Sequence, residues 1–178
     1  MASVLRFDNW QNSDGTSIAT TDASGNISFA GAGAGKILQV VSTTKVDQFT
    51  TTASVFTDVT GLSATITPTS ATSKILVIAS VSISAQTGYN AYLNLVRNST
   101  NISQSTGGTS NMTKTITAGI SWFHPTAVFE DSPATTSATT YKIQVKPPSG
   151  TSVVAVNRRA DNTGFGSTSS ITVMEVSA

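Results

Sequence analysis

The sequence predicts an all-β protein built as an antiparallel sandwich or barrel, and three observations lead there. Val and Ile together number 28 against six Leu, a β-branched bias that suits pleated surfaces better than helices. Several segments alternate apolar and polar residues with period two, and none sustains the i, i+3, i+4, i+7 apolar spacing of an amphipathic helix. Clusters of Gly, Pro, Asn and Ser punctuate the segments at short intervals, as turns do between strands.

In chain order the candidate strands are residues 37–44, 53–60, 62–67, 74–84, 91–97, 118–124, 127–130, 139–146, 152–156 and 170–176. Residues 139–146 set Tyr141, Ile143 and Val145 against Lys142, Gln144 and Lys146, the pattern of a half-buried strand. In 74–84 one face reads Ile75, Val77, Ala79, Val81, Ile83, and the other begins with Leu76 and Ile78 and continues as Ser80, Ser82, Ser84. That strand is expected to start buried on both sides and to end with one wet face. Ahead of these strands, residues 1–35 read as an arm. It carries the turn signals Ser13-Asp14-Gly15 and Asp22-Ala23-Ser24-Gly25-Asn26, a short β-hairpin, and a flexible Gly/Ala connector from Gly31 to Gly35. Residues 36–178 form the body. The arm holds Phe7, Trp10 and Phe29 but is too short for a core of its own, so these rings are candidate attachment residues, to be buried on the body, a symmetry mate or a docking partner, the flexible connector favouring the last two.

Composition narrows the function. The chain has 178 residues and a mass of 18.3 kDa, which suits one domain with an appendage. A chain of that size buries roughly 70% of its unfolded surface and needs no covalent staple. It has no cysteine, which removes disulfides and thiolate metal sites. Lys plus Arg is 10 and Asp plus Glu is 9, so the basic excess of a nucleic-acid binder is missing. Charged residues make up 11%, less than half the usual ~25%, and 30 Thr and 26 Ser supply the polarity instead. The first ten residues have no apolar core of a signal peptide, and the longest apolar run, 75–79, is far short of the ~20 residues that span a bilayer. The expectation is a non-enzymatic scaffold without membrane insertion.

Each motif that hints at chemistry has a simpler reading. Residues 31–36, GAGAGK, suggest a phosphate loop, but Ala30 and Ile37 stand where that motif needs Gly and Ser or Thr. His124 is the single histidine, and no Gly-x-Ser-x-Gly elbow positions a nucleophile for it or for an acid such as Asp131. One His and no Cys cannot furnish a usual zinc site. Glu130 and Asp131 are adjacent and so point to opposite faces of a strand, which does not make an acid/base pair. Asp8 and Asp14 lack the calcium-loop pattern because Trp10 occupies a ligand position. Arg158-Arg159 before Asp161 reads as a solvated turn or a subunit salt bridge. Asn-x-Ser/Thr sites at Asn26, Asn98, Asn101 and Asn111 are about what chance gives in a chain so rich in hydroxyls. No catalytic residue, cofactor or metal ligand is expected.

Five stretches carry a family likeness. Residues 15–31 (GTSIATTDASGNISFAG) resemble the short repeated hairpin of tailed-phage fibre and virion proteins. Residues 61–77 (GLSATITPTSATSKILV), 129–146 (FEDSPATTSATTYKIQVK), Val156-Asn157-Arg158 and 170–176 (ITVMEV after Ser170) resemble a body common in marine and cyanobacterial phage structural proteins. The resemblance implies an antiparallel jelly-roll β-sandwich, a trimeric knob similar to the complement and tumour-necrosis-factor type of head domain, and a place on the virion surface. An immunoglobulin-like sandwich fits the same alternation. Candidate trimer-interface residues are Trp122, Phe123 and His124. The expected partners are further copies of the chain and the major capsid protein or another virion protein. The function follows as capsid decoration through the arm, with a tail-fibre or tail-tip knob that binds a host glycan or receptor as the alternative. A secreted hydrolase or lectin-like module is a third reading, weakened by the lack of an acid/base pair.

Overall fold

The computed structural model describes residues 9–25, 27–29, 35–86, 88–103, 114–117 and 123–178. The arm contributes β1 (Asn9–Gln11), β2 (Ser17–Thr21) and β3 (Ile27–Phe29). The body begins with β4 (Ile37–Lys45), β5 (Phe49–Thr51), β6 (Thr57–Ile66), β7 (Lys74–Ser80), β8 (Ile83–Ala85) and β9 (Asn90–Arg97). It continues with β10 (Thr100–Asn101), β11 (Lys114–Thr117), β12 (Thr126–Asp131), β13 (Thr139–Lys146), β14 (Val154–Val156) and β15 (Ser169–Val176).

Every strand pair of the body is antiparallel, and the long strands pair as nested brackets: β4 with β15, β6 with β13, β7 with β12, β9 with β11. The further ladders β7–β15 and β9–β13 roll this strip into two sheets, β12-β7-β15-β4 and β11-β9-β13-β6, with β10 beside the far end of β9. This is a jelly roll. An immunoglobulin sandwich puts its first and last strands in different sheets, whereas here β4 and β15 are neighbours.

The core lies between the two sheets and follows the alternation. Burial in β13 and β15 strictly alternates. Ile75, Val77, Ala79, Ile171 and Val173 from one sheet meet Leu62, Ala64, Leu93, Leu95, Tyr141, Ile143 and Val145 from the other, none more than 2% exposed. Each large apolar side chain buried this way contributes roughly 1.5–3 kcal/mol.

Three strand expectations change. The segment 74–84 is two strands in different sheets, because the chain turns a corner at Val81 and Ser82. Its expected wet face is dry: Ser82 and Ser84 are both fully buried. Two of the buried groups find partners there, as the Ser82 amide donates to Ser169 Oγ (2.9 Å) and Ser84 Oγ donates to Arg158 O (3.1 Å), while the buried Ser82 hydroxyl has no partner among the described residues. Segments 53–60 and 62–67 give way to the single strand β6, preceded by the short β5. Residues 118–122 of the expected strand 118–124 lie outside the described residues, and Phe123 bridges Ile83.

In the arm, β1, β2 and β3 form a three-stranded sheet whose ladders do not join those of the body. Asn12 Oδ1 accepts from the amides of Asp14 and Thr16, and Asp22 Oδ1 accepts from the amide of Ser24, so both turns close on side-chain caps. The chain enters the body beside its own C-terminal residues: Gly35 N donates to Ser177 O (2.8 Å), and Ser177 N to Lys36 O (2.9 Å).

Candidate functional site

Period-two alternation leaves every sheet with a second face, and in the sheet β12-β7-β15-β4 that face is apolar at its centre. Register aligns Glu130, Leu76, Met174 and Val40 in one row across the four strands, and Val128, Ile78, Thr172 and Ser42 in the next. Leu76, Ile78, Met174 and Val176 are half-buried, while Val40 is 55% exposed, Val128 63% and Leu38 41%. No described element covers these residues. Large contiguous apolar patches on protein surfaces are commonly sites of association. The positions toward one end, Ser42, Thr44, Ser80, Thr126 and Ser170, are small hydroxyl residues, which cost far less to desolvate than charged ones, while Glu130 and Lys74 stand beside the patch at the other end.

Polar clusters close the two ends of the core and hold that face in place. At the end where the arm enters, the inward row reads Asp131, Ile75, Glu175, Gln39. Asp131 accepts two bonds from Arg97 Nη1 (2.9 and 2.8 Å) and one from Tyr141 Oη (2.7 Å), which ties β12 of one sheet to β9 and β13 of the other. Burial, reinforced by the Asp131 carboxylate, pushes the Tyr141 phenol far above the usual tyrosine range, so it stays a donor. Glu175 is fully buried and accepts from Gln39 Nε2 (2.6 Å), Thr69 N (2.7 Å) and Thr69 Oγ1 (2.7 Å). Burial alone raises its pKa, but these bonds outweigh it and bring it down to about 2.

The opposite end is closed by Asn157, which is fully buried and has φ +61°. Its Nδ2 donates to Lys45 O (2.8 Å) and Asp47 O (3.0 Å), and its Oδ1 accepts from Ser169 Oγ (2.6 Å). Lys45, 2% exposed, reaches Asp47 Oδ2 at 2.6 Å.

The residues singled out from sequence are scattered. Trp10 is 56% exposed, and Trp10 and Phe29 both pair with Ala19, so the arm brings these two positions into one cross-strand row. Phe7 and Trp122 lie outside the described residues. Phe123 is half-buried against the core, and its neighbour His124 is exposed. Asp131 is engaged by Arg97 and Tyr141 rather than by His124. Glu130 and Asp131 do face opposite ways, the first exposed and the second buried. Arg159 pairs with Asp161 at 2.9 Å in the turn. Among the described residues no three His, Cys, Asp or Glu gather within reach of one metal ion. No family model matches the chain, and no curated protein matches it either.

The alternation in 74–84 reads Leu76 and Ile78 as a second apolar face and expects it to be buried; the structure leaves both half-buried with no described element over them. What sequence reasoning missed is that Met174 and Val176 extend the same face. Leu76 and Ile78, like Met174 and Val176, are apolar residues in the outward phase of strands whose inward phase is already apolar.

Proposed function

We propose that this chain is a non-enzymatic surface protein of a tailed-phage virion, a homotrimeric capsid-decoration knob docked through its N-terminal arm. The observation that carries its self-association is the uncovered apolar face of β12-β7-β15-β4, bordered by Ser and Thr at one end, with Glu130 and Lys74 the charged residues at the other. Such a face is stabilised by a second copy of the same low-charge surface more than by water. The resemblance of residues 15–31, 61–77 and 129–146 to phage structural proteins supplies the virion and the number three; the sheet face by itself asks only for another copy. The jelly roll is the fold that resemblance implies. The exposed Trp10, in register with Phe29 through Ala19, supports the arm as the docking element.

Two measurements test the reading. Light scattering should give a trimer for the full chain, and Val40→Lys with Met174→Lys should give a monomer that keeps its β-sheet circular dichroism. A wild-type monomer at high micromolar concentration overturns the assembly. Particles lacking the protein should adsorb to cells normally but lose DNA more readily on heating, because many weak, repeated contacts reinforce a shell collectively. Intact heat resistance with adsorption abolished replaces decoration by the tail-fibre reading.

A further inference from the structure

The small sheet β5-β14-β8 caps the body at the end away from the arm. β4 runs from the arm junction to Lys45 over about 27 Å at ~3.4 Å per residue, and β5 follows it. Against β5 lies an open depression of about 330 Å³, lined by Thr50, Thr51, Thr52, Val153, Arg158 and Ala160. That is near the lower bound of ~300 Å³ for small-ligand sites, room for one or two sugar rings.

Arg158 is the unusual member. Among the described arginines, Arg97 pairs with Asp131 and Arg159 with Asp161, but no described carboxylate lies within ion-pair distance of Arg158. Its position is nevertheless built. It follows Asn157, whose backbone and side chain are fixed by the buried cluster, its carbonyl accepts from Ser84 Oγ, and its Nε donates to Arg159 O at 2.9 Å. Holding Nε leaves the two terminal nitrogens as donors with no partner among the described residues. A planar guanidinium offered this way fits the two oxygens of a carboxylate better than a point anion.

The rest of the lining fits the rest of such a ligand. Threonine hydroxyls both donate and accept, as sugar hydroxyls require of a partner. Thr50 and Thr52 are exposed, and Thr51, which accepts from Ala53 N (3.1 Å), keeps its own proton to donate. Val153 and Ala160 add small apolar surface for the C–H face of a ring. We propose that this depression binds a carboxylated sugar, with Arg158 holding the carboxylate and Thr50–Thr52 the hydroxyls. The site stands apart from the apolar sheet face and does not depend on the virion reading.

The test is a titration of the full chain with glucuronate, glucose and inorganic sulfate, followed by amide shifts in NMR spectra. Glucuronate should bind saturably in the millimolar range, with shifts at Thr50–Thr52, Val153 and Ala160, and glucose roughly tenfold or more weakly. Arg158→Gln should weaken glucuronate by roughly tenfold or more, about 1.4 kcal/mol, at an unchanged melting temperature. Thr50→Val, which leaves Arg158 in place, should weaken it severalfold and serves if the arginine variant misfolds. No saturable glucuronate shift up to tens of millimolar, or equal binding by both variants and the wild type, overturns the site. Sulfate binding as tightly as glucuronate overturns the sugar and leaves a simple anion site.

Discussion

Glu175 shows how much one side chain depends on partners distant in sequence. A buried carboxylate is costly unless hydrogen bonds replace its water, and Gln39 and Thr69 do so. Buried Ser73 Oγ lies by the same carboxylate without a bond of acceptable geometry. The group's folded pKa, about 2, is below its ordinary 4.5. A depressed folded pKa means that the stabilisation is complete above pH 4.5 and is lost as pH falls from 4.5 through about 2. At ~1.36 kcal/mol per pKa unit this is on the order of 3 kcal/mol. Urea denaturation between pH 2 and 7 should show that decline in the wild type. Glu175→Gln should be less stable at pH 7 and should lose most of the slope below pH 4.5. An unchanged slope would mean that other carboxylates govern acid unfolding.

At the scale of the element, β6 answers a phase problem. Val59 and Leu62 are three residues apart, which in a regular strand places them on opposite faces, yet both are buried in the core. The ladder to β13 pairs Ser63 with Lys142 and Asp58 with Gln144, so residues 59–62 stand against Ile143 alone. This bulge turns on Gly61, at φ +78°. A Cβ there would meet Lys45 Nζ at 3.7 Å, an ordinary contact, so backbone conformation and not crowding requires glycine. Gly61→Val should therefore cost about 2 kcal/mol in chemical denaturation, and Gly61→Asn clearly less, since Asn tolerates the left-handed region. Equal stabilities for the two variants would show that the bulge relaxes without glycine.

For the whole molecule, the separation of ladders between arm and body has a consequence for folding. The two sheets of the jelly roll and the polar clusters at both ends of the core are made entirely by residues from Lys36 onward, apart from the Gly35 amide bond to Ser177. Residues 36–178 expressed alone should melt cooperatively within a few degrees of the full chain. If the arm is the docking element, the same fragment should fail to decorate particles. An unfolded fragment would refute the division, and normal decoration by a folded one would move the attachment site into the body.

Strand positions were legible where one face is apolar and the other is not, as in 139–146 and 170–176, because alternation is a local consequence of the pleat. The sequence by itself therefore determined an all-β fold, most strand locations, the turns of the arm, and the opposite facing of the adjacent Glu130 and Asp131, whereas residues 31–34 of GAGAGK lie outside the described residues. It could not tell which strand neighbours which, since alternation separates two faces without saying what covers either. Only the tertiary structure decided that 74–84 turns between sheets, that Ser82 and Ser84 are dry, and that the outward row through Leu76, Met174 and Val40 lies open. It alone decided that Gln39 meets Glu175 across 136 positions and Asn157 meets Lys45 across 112. The physical reason is the same for all of these: burial and pairing belong to contacts between distant segments, and no local spacing encodes them.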